Sequence, residues 1–75
     1  MFDQLKTILV EDLQMRTEDV VATADRAEVG LDSLAVVELS ALLSKRLDIQ
    51  ISDYELLELV TVGEIADLVA ERCRG

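Results

Sequence analysis

Apolar positions along this chain recur at helical spacing, and no stretch alternates with the two-residue period of a strand. Phe2, Leu5, Ile8, Leu9 and Leu13 fall on one stripe, with Asp3, Lys6, Glu11 and Asp12 off it, which predicts an amphipathic first helix. Val62, Ile65, Leu68, Val69 and Cys73 repeat that spacing near the other end, so Cys73 is expected to be a small core residue. Thr61 precedes this run and Glu64 follows three residues later. That is a capping box, in which each side chain satisfies an orphan backbone N–H of the other residue. Ser52 and Glu55 form a second such pair and open a short helix through Leu57. Leu34 to Leu47 has no helix breaker and is rich in Leu and Ala, which predicts a third long helix. Asp32 and Ser33 both stand where its N-cap belongs.

Between the first two long helices lies one extended connection, Gln14 to Leu31. Loops longer than about 12–15 residues are uncommon in compact domains and usually functional. Val20, Val21, Val29 and Leu31 are expected to tack it onto the core. The predicted architecture is all-α: a small four-helix bundle of three long helices and one short one, with a long first loop, forming a single domain over residues 1–75. The start at Met1 and the end at Gly75 fit a free-standing domain.

The central helix carries two apolar faces. At about 100° per residue from Leu34, Val36, Leu39, Leu43 and Leu47 gather between roughly 140° and 220°, a core-facing stripe. Leu34, Val37 and Ala41 gather nearly opposite, with Leu42 on the flank and Glu38 and Lys45 alongside. A helical domain this small is only about two layers thick, so one helix is not readily buried on both sides. Either the long connection folds over the second stripe, or the stripe faces water as a docking patch.

Composition narrows the chemistry. The chain has 75 residues, of which 51% are apolar, enough for a packed core and too many for a disordered acidic tail. A single Cys makes no internal disulfide. The absence of His removes the usual general base and the commonest metal ligand. A formal charge of -9 opposes nucleic-acid binding and favours a cationic protein partner. No run approaches the ~20 apolar residues of a membrane span, and the first residues, with Asp3, Lys6 and Glu11, lack the form of a signal peptide. The expectation is a soluble, monomeric, cytoplasmic protein without membrane insertion.

Ser33 sits where the long connection meets the central helix, beside the second stripe. A serine there is commonly a cap, and with no His to activate it, self-contained hydrolase chemistry is not expected. The alternative is a hydroxyl that another enzyme modifies; a helix start suits an attached phosphate, because free N–H groups and the helix dipole favour an anion.

The run Gly30-Leu31-Asp32-Ser33-Leu34, continuing through Ala35-Val36-Val37-Glu38-Leu39, resembles the modification site of acyl carrier proteins. The resemblance extends over essentially the whole chain: Thr61-Val62-Gly63-Glu64-Ile65 is similar to the start of that family's last helix, and Ile49-Gln50-Ile51-Ser52 to the approach to its short third helix. It implies that Ser33 carries 4′-phosphopantetheine through a phosphodiester, donated by coenzyme A and transferred by a separate magnesium-dependent phosphopantetheinyl transferase that Asp32 helps to engage. The arm's thiol would hold acyl groups as thioesters, with the carrier itself non-catalytic. Leu34, Val37, Glu38, Ala41 and Leu42 would form the surface read by ketosynthase, acyltransferase or other acyl-processing enzymes with basic docking surfaces.

The family's fatty acid members typically have an acidic second helix, whereas this chain places Ser44, Lys45 and Arg46 there. Its wording is closer to that of polyketide synthase carriers. Negative potential is then expected from Asp25, Glu28 and Asp32 in the loop and from Asp53, Glu55 and Glu58 in the third segment. Two alternatives stand beside this reading: a peptidyl or aminoacyl carrier of nonribosomal synthesis, separated by a loading assay, and an unmodified acidic helical adaptor, separated by whether Ser33 accepts the arm.

Overall fold

The computed structural model describes residues 1–74. Four α-helices follow in order: α1 Phe2–Glu11, α2 Ser33–Leu47, α3 Asp53–Leu57 and α4 Val62–Arg74, with a 3-10 turn at Thr17–Asp19 inside the long connection. The described residues contain no strand, so the all-α expectation of three long helices and one short one holds.

Each helix forms where its pattern places it. Leu5, Ile8 and Leu9 of α1 are buried, as are Val36, Leu39 and Leu43 of α2. These stripes meet Leu56 of α3 and Val62, Ile65 and Val69 of α4 in one core. Here α1 packs on α4 and α2 on α3. Both capping boxes are present. The Ser52 hydroxyl accepts the Glu55 amide at 3.2 Å while Glu55 accepts the Ser52 amide at 2.9 Å. Thr61 accepts the Glu64 amide at 3.2 Å, and Glu64 Oε1 accepts the amides of both Thr61 and Val60 at 2.9 Å. Those bonds, the Thr61 amide foremost and then that of Val60, hold the Glu64 carboxyl below its usual pKa.

Two arginine forks lock the helices to one another. Arg46 at the end of α2 grips the Asp12 carboxylate after α1, Nε to Oδ2 at 2.6 Å and Nη2 to Oδ1 at 2.9 Å. Arg72 of α4 pairs with Glu55 of α3 and also donates to the Gln50 carbonyl at 2.9 Å. A planar guanidinium suits both places, because it engages two acceptors at once.

The long connection is bound to the turn between α3 and α4, a feature that periodicity does not reveal. The Arg26 amide donates to the Val60 carbonyl at 2.6 Å, and the Val62 and Gly63 amides donate to the carbonyls of Ala24 and Ala22 at 3.0 and 2.9 Å. An isolated antiparallel bridge pairs Asp25 with Thr61 at the centre of this seam. Gly63 permits the approach: a Cβ there would stand 2.9 Å from the Ala22 carbonyl oxygen, so any larger residue must push the connection away.

Two expectations need correction. Cys73 is exposed rather than core, because the buried stripe of α4, Val62, Ile65, Ala66 and Val69, ends one turn before it. Val21 is 44% exposed. The 3-10 turn commits Val20 to the interior and thereby turns its neighbour outward, so Val20 and Leu31 anchor the connection, with Val29 half-buried.

Leu43 is fully enclosed on the inner face of α2. Leu43→Ala is expected to destabilise the fold by about 2–5 kcal/mol, the range for deleting a core leucine, read as a lowered urea midpoint; an unchanged midpoint would contradict this packing.

Candidate functional site

The site begins with a glycine. Gly30 has φ +96°, in the left-handed region, with open space where a Cβ would lie, so the demand is for backbone conformation and not for room. That turn carries Leu31 inward to complete burial and delivers Asp32 in an extended conformation, φ -77° and ψ -173°. Asp32 is the N-cap: its Oδ1 accepts the Ala35 amide at 2.9 Å. Of the two capping candidates, the aspartate therefore does the work, and Ser33 becomes the first helical residue.

That assignment releases the serine. Ser33 is exposed, and among the described residues no side-chain hydrogen bond occupies its hydroxyl. The first amides of any α-helix lack intrahelical acceptors, and Ser33 stands at that positive end of a fifteen-residue helix. A nucleophile activated within the chain would need a neighbouring base, and the sequence contains no His.

Down the same side of α2, Leu34 is 71% exposed and Val37 49% exposed, and Glu38 and Ala41 are exposed as well. Leu42 is half-buried against the core and supplies only an edge. The long connection does not cover this stripe, because its hydrogen bonds bind it to the α3–α4 turn instead. Of the two arrangements open to the sequence, the water-facing one is realised.

An open groove runs beside Val37, between α2 and the segment leading into α3. Ser40, Ser44, Gln50 and Ser52 line it together with Val37, Ala41, Ile51 and the Glu55–Arg72 pair. Ser40 donates to the Ile51 carbonyl at 2.7 Å, fixing the groove's width.

The charge near the site differs from the sequence expectation in two places. Glu55 is consumed by its cap and by Arg72, and Asp53 is half-buried. Asp25, Glu28, Asp32 and Glu58 remain exposed. Sequence reasoning also overlooked Arg26, whose side chain donates to the carbonyls of Leu31 and Leu59. A signal existed: Arg26 is the one cation between Arg16 and Lys45, in an otherwise acidic stretch.

Residues 3–69 match the family model described as a phosphopantetheine attachment site. The chain belongs to the acyl carrier protein family. It is 38% identical over 65 residues to the acyl carrier protein of Wolinella succinogenes, covering 85% of this chain and 86% of that one. With an acyl carrier protein of Clostridium perfringens it shares 31% identity over 72 residues, 95% of each chain. The cofactor of this carrier is covalently bound 4′-phosphopantetheine. The geometry at the head of α2 fits such a group: an exposed, uncommitted hydroxyl stands where a helix dipole favours a phosphodiester anion.

Capping and charge at Asp32 are separable by substitution. Asp32→Ala is expected to cost about 0.5–2 kcal/mol, whereas Asp32→Asn, an equally good cap, keeps most of that stability. Urea unfolding of both variants checks this; equal losses would mean that the carboxylate charge, and not the Ala35 bond, is what matters.

Proposed function

We propose that Ser33 is the attachment point of the 4′-phosphopantetheine arm, and that the protein is a non-catalytic carrier presenting acyl intermediates to partner enzymes in polyketide assembly in the cytoplasm. One observation carries this reading: the Ser33 hydroxyl is exposed and uncommitted because Asp32 takes the capping role. A transferase acting on it removes the hydroxyl proton and joins the oxygen to the pantetheine-bearing phosphorus of coenzyme A, breaking the pyrophosphate bridge there and releasing adenosine 3′,5′-bisphosphate. Once bound, the arm supplies a thiol that carries acyl groups as activated thioesters.

The chain's own residues then bind and orient. Asp32 presents a carboxylate beside the reacting oxygen for recognition by a basic transferase surface. Leu34, Val37 and Ala41 offer an apolar strip, with Leu42 at its edge and Glu38 as a flanking charge. Exposed Asp25, Glu28 and Glu58 extend the acidic field, which raises encounter rates with cationic ketosynthases or acyltransferases more than it tightens their grip. Modest affinity suits a shuttle that must leave each partner. No helix among the described residues is long and apolar enough to cross a membrane.

The polyketide assignment draws on two features. The second half of α2 carries exposed Ser44 and Lys45 in place of an acidic face. The Gly30-Leu31-Asp32-Ser33-Leu34 run and its continuation, which resemble polyketide synthase carriers in wording, are the second.

Incubation with coenzyme A and a promiscuous transferase is expected to add one phosphopantetheine to the intact mass, and Ser33→Ala is expected to abolish the gain with its circular dichroism unchanged. Modification of the alanine variant would place the arm elsewhere. Val37→Asp is expected to keep the fold while weakening partner reactions by more than about 1 kcal/mol, as for a central interface residue. An unfolded Val37→Asp protein would contradict the water-facing assignment.

A further inference from the structure

Three residues, Gly30 to Asp32, lead the long connection into α2, and one side chain from earlier in the connection reaches their backbone. Arg26 donates from Nε to the Leu59 carbonyl at 3.2 Å and from Nη1 to the Leu31 carbonyl. Backbone bonds reinforce both ends of this bridge: the Arg26 amide donates to Val60 at 2.6 Å, and the Leu31 amide donates to the Arg26 carbonyl at 3.0 Å. Leu31 and Leu59 belong to segments far apart in the chain, one two residues before Ser33 and the other in the turn between α3 and α4. Among the described residues no carboxylate pairs with this guanidinium, although Asp25 and Glu28 are close in sequence. Its donors are directed to backbone carbonyls instead.

The consequence follows from peptide geometry. The Leu31 carbonyl and the Asp32 amide lie in one rigid plane, so fixing that oxygen fixes the plane from which the N-cap starts. Asp32 then sets the first turn of α2 through Ala35, and Ser33 stands between them. A lysine cannot replace the fork, because it carries its donors on one point charge at the end of a flexible stem. Val20, Leu31 and the inner stripe of α2 are buried through their apolar side chains, whereas the Arg26 side chain bonds to backbone carbonyls. Its effect is local to the approach.

We infer that Arg26 is a positioning residue for modification of Ser33, holding the Leu31–Asp32 peptide so that the hydroxyl is already placed when the transferase arrives. This rests on the reading of Ser33 as the attachment point. Without the fork, the segment before Ser33 samples other arrangements, and only the fraction with the serine in place binds productively. Apparent affinity falls by that fraction, while the rate from the correctly bound complex is unaffected.

Steady-state transfer from coenzyme A by a promiscuous phosphopantetheinyl transferase, followed by intact mass, tests this on wild type, Arg26→Gln, Arg26→Lys and Leu43→Ala at a temperature where each is folded. For Arg26→Gln the expected result is a KM for the carrier raised about tenfold, as for a competent fraction near one tenth, with kcat little changed. Arg26→Lys should fall between it and wild type, and amide exchange at Ala35 and Val36, which donate to Asp32, should quicken in Arg26→Gln while exchange at Leu39 and Leu43 does not. Leu43→Ala, destabilised in the core, should keep the wild-type KM. Wild-type KM in Arg26→Gln overturns the inference, as does a KM increase of equal size in Leu43→Ala, which would make the effect one of general stability. Should Arg26→Gln fail to fold, Arg26→Lys decides alone: a raised KM supports the role and an unchanged one refutes it. A wild-type protein that takes up no arm refutes the reading of Ser33 and this inference with it; a modified wild type with an indifferent Arg26 refutes only the latter.

Discussion

The structure depends on the seam between the long connection and the turn that precedes α4. Three backbone bonds, from the amides of Arg26, Val62 and Gly63, run across it, and the missing side chain at Gly63 lets the two strands of chain come this close. A connection of that length would otherwise be a source of conformational entropy next to the site. Bound at this seam and anchored by Val20 and Leu31, it becomes a fixed support for the head of α2. Because the seam draws the connection toward the α3–α4 turn, the outer face of α2 is left open to water.

On α2 itself, three roles fall to neighbouring residues. Asp32 satisfies the helix start, Leu31 supplies the anchor, and Ser33 does neither. A serine that capped the helix would have its oxygen committed to a backbone amide, so the division of roles is what leaves a free hydroxyl for the proposed attachment. The two faces of the helix divide in the same way. Val36, Leu39 and Leu43 hold the bundle together, and Leu34 and Val37 remain exposed to water.

Charge is distributed to match. Part of the acidic excess is spent inside the fold: Asp12 binds Arg46, and Glu55 binds Arg72. The exposed remainder on the connection and after α3 supplies a field around the site. These internal pairs join helices at their ends, where a fork can hold two acceptors without burying an unpaired charge. Glu64 adds a third use of a carboxylate, as an acceptor for the amides of Thr61 and Val60 at the start of α4.

Much of this was legible in the order of residues. Helical periods located α1, α2 and α4, the two capping boxes marked the starts of α3 and α4, and α2 showed two opposed apolar stripes, because all of these are local properties that repeat within a turn or two of helix. The motif around Ser33 gave the family for the same reason. Tertiary structure alone decided which of Asp32 and Ser33 caps the helix, that Val21 and Cys73 lie outside the core, that Glu55 is neutralised by Arg72, and that Arg26 bridges Leu31 to Leu59. Each of those outcomes depends on contacts between residues far apart in the chain or on the choice of one backbone conformation among several. Spacing along a sequence encodes neither.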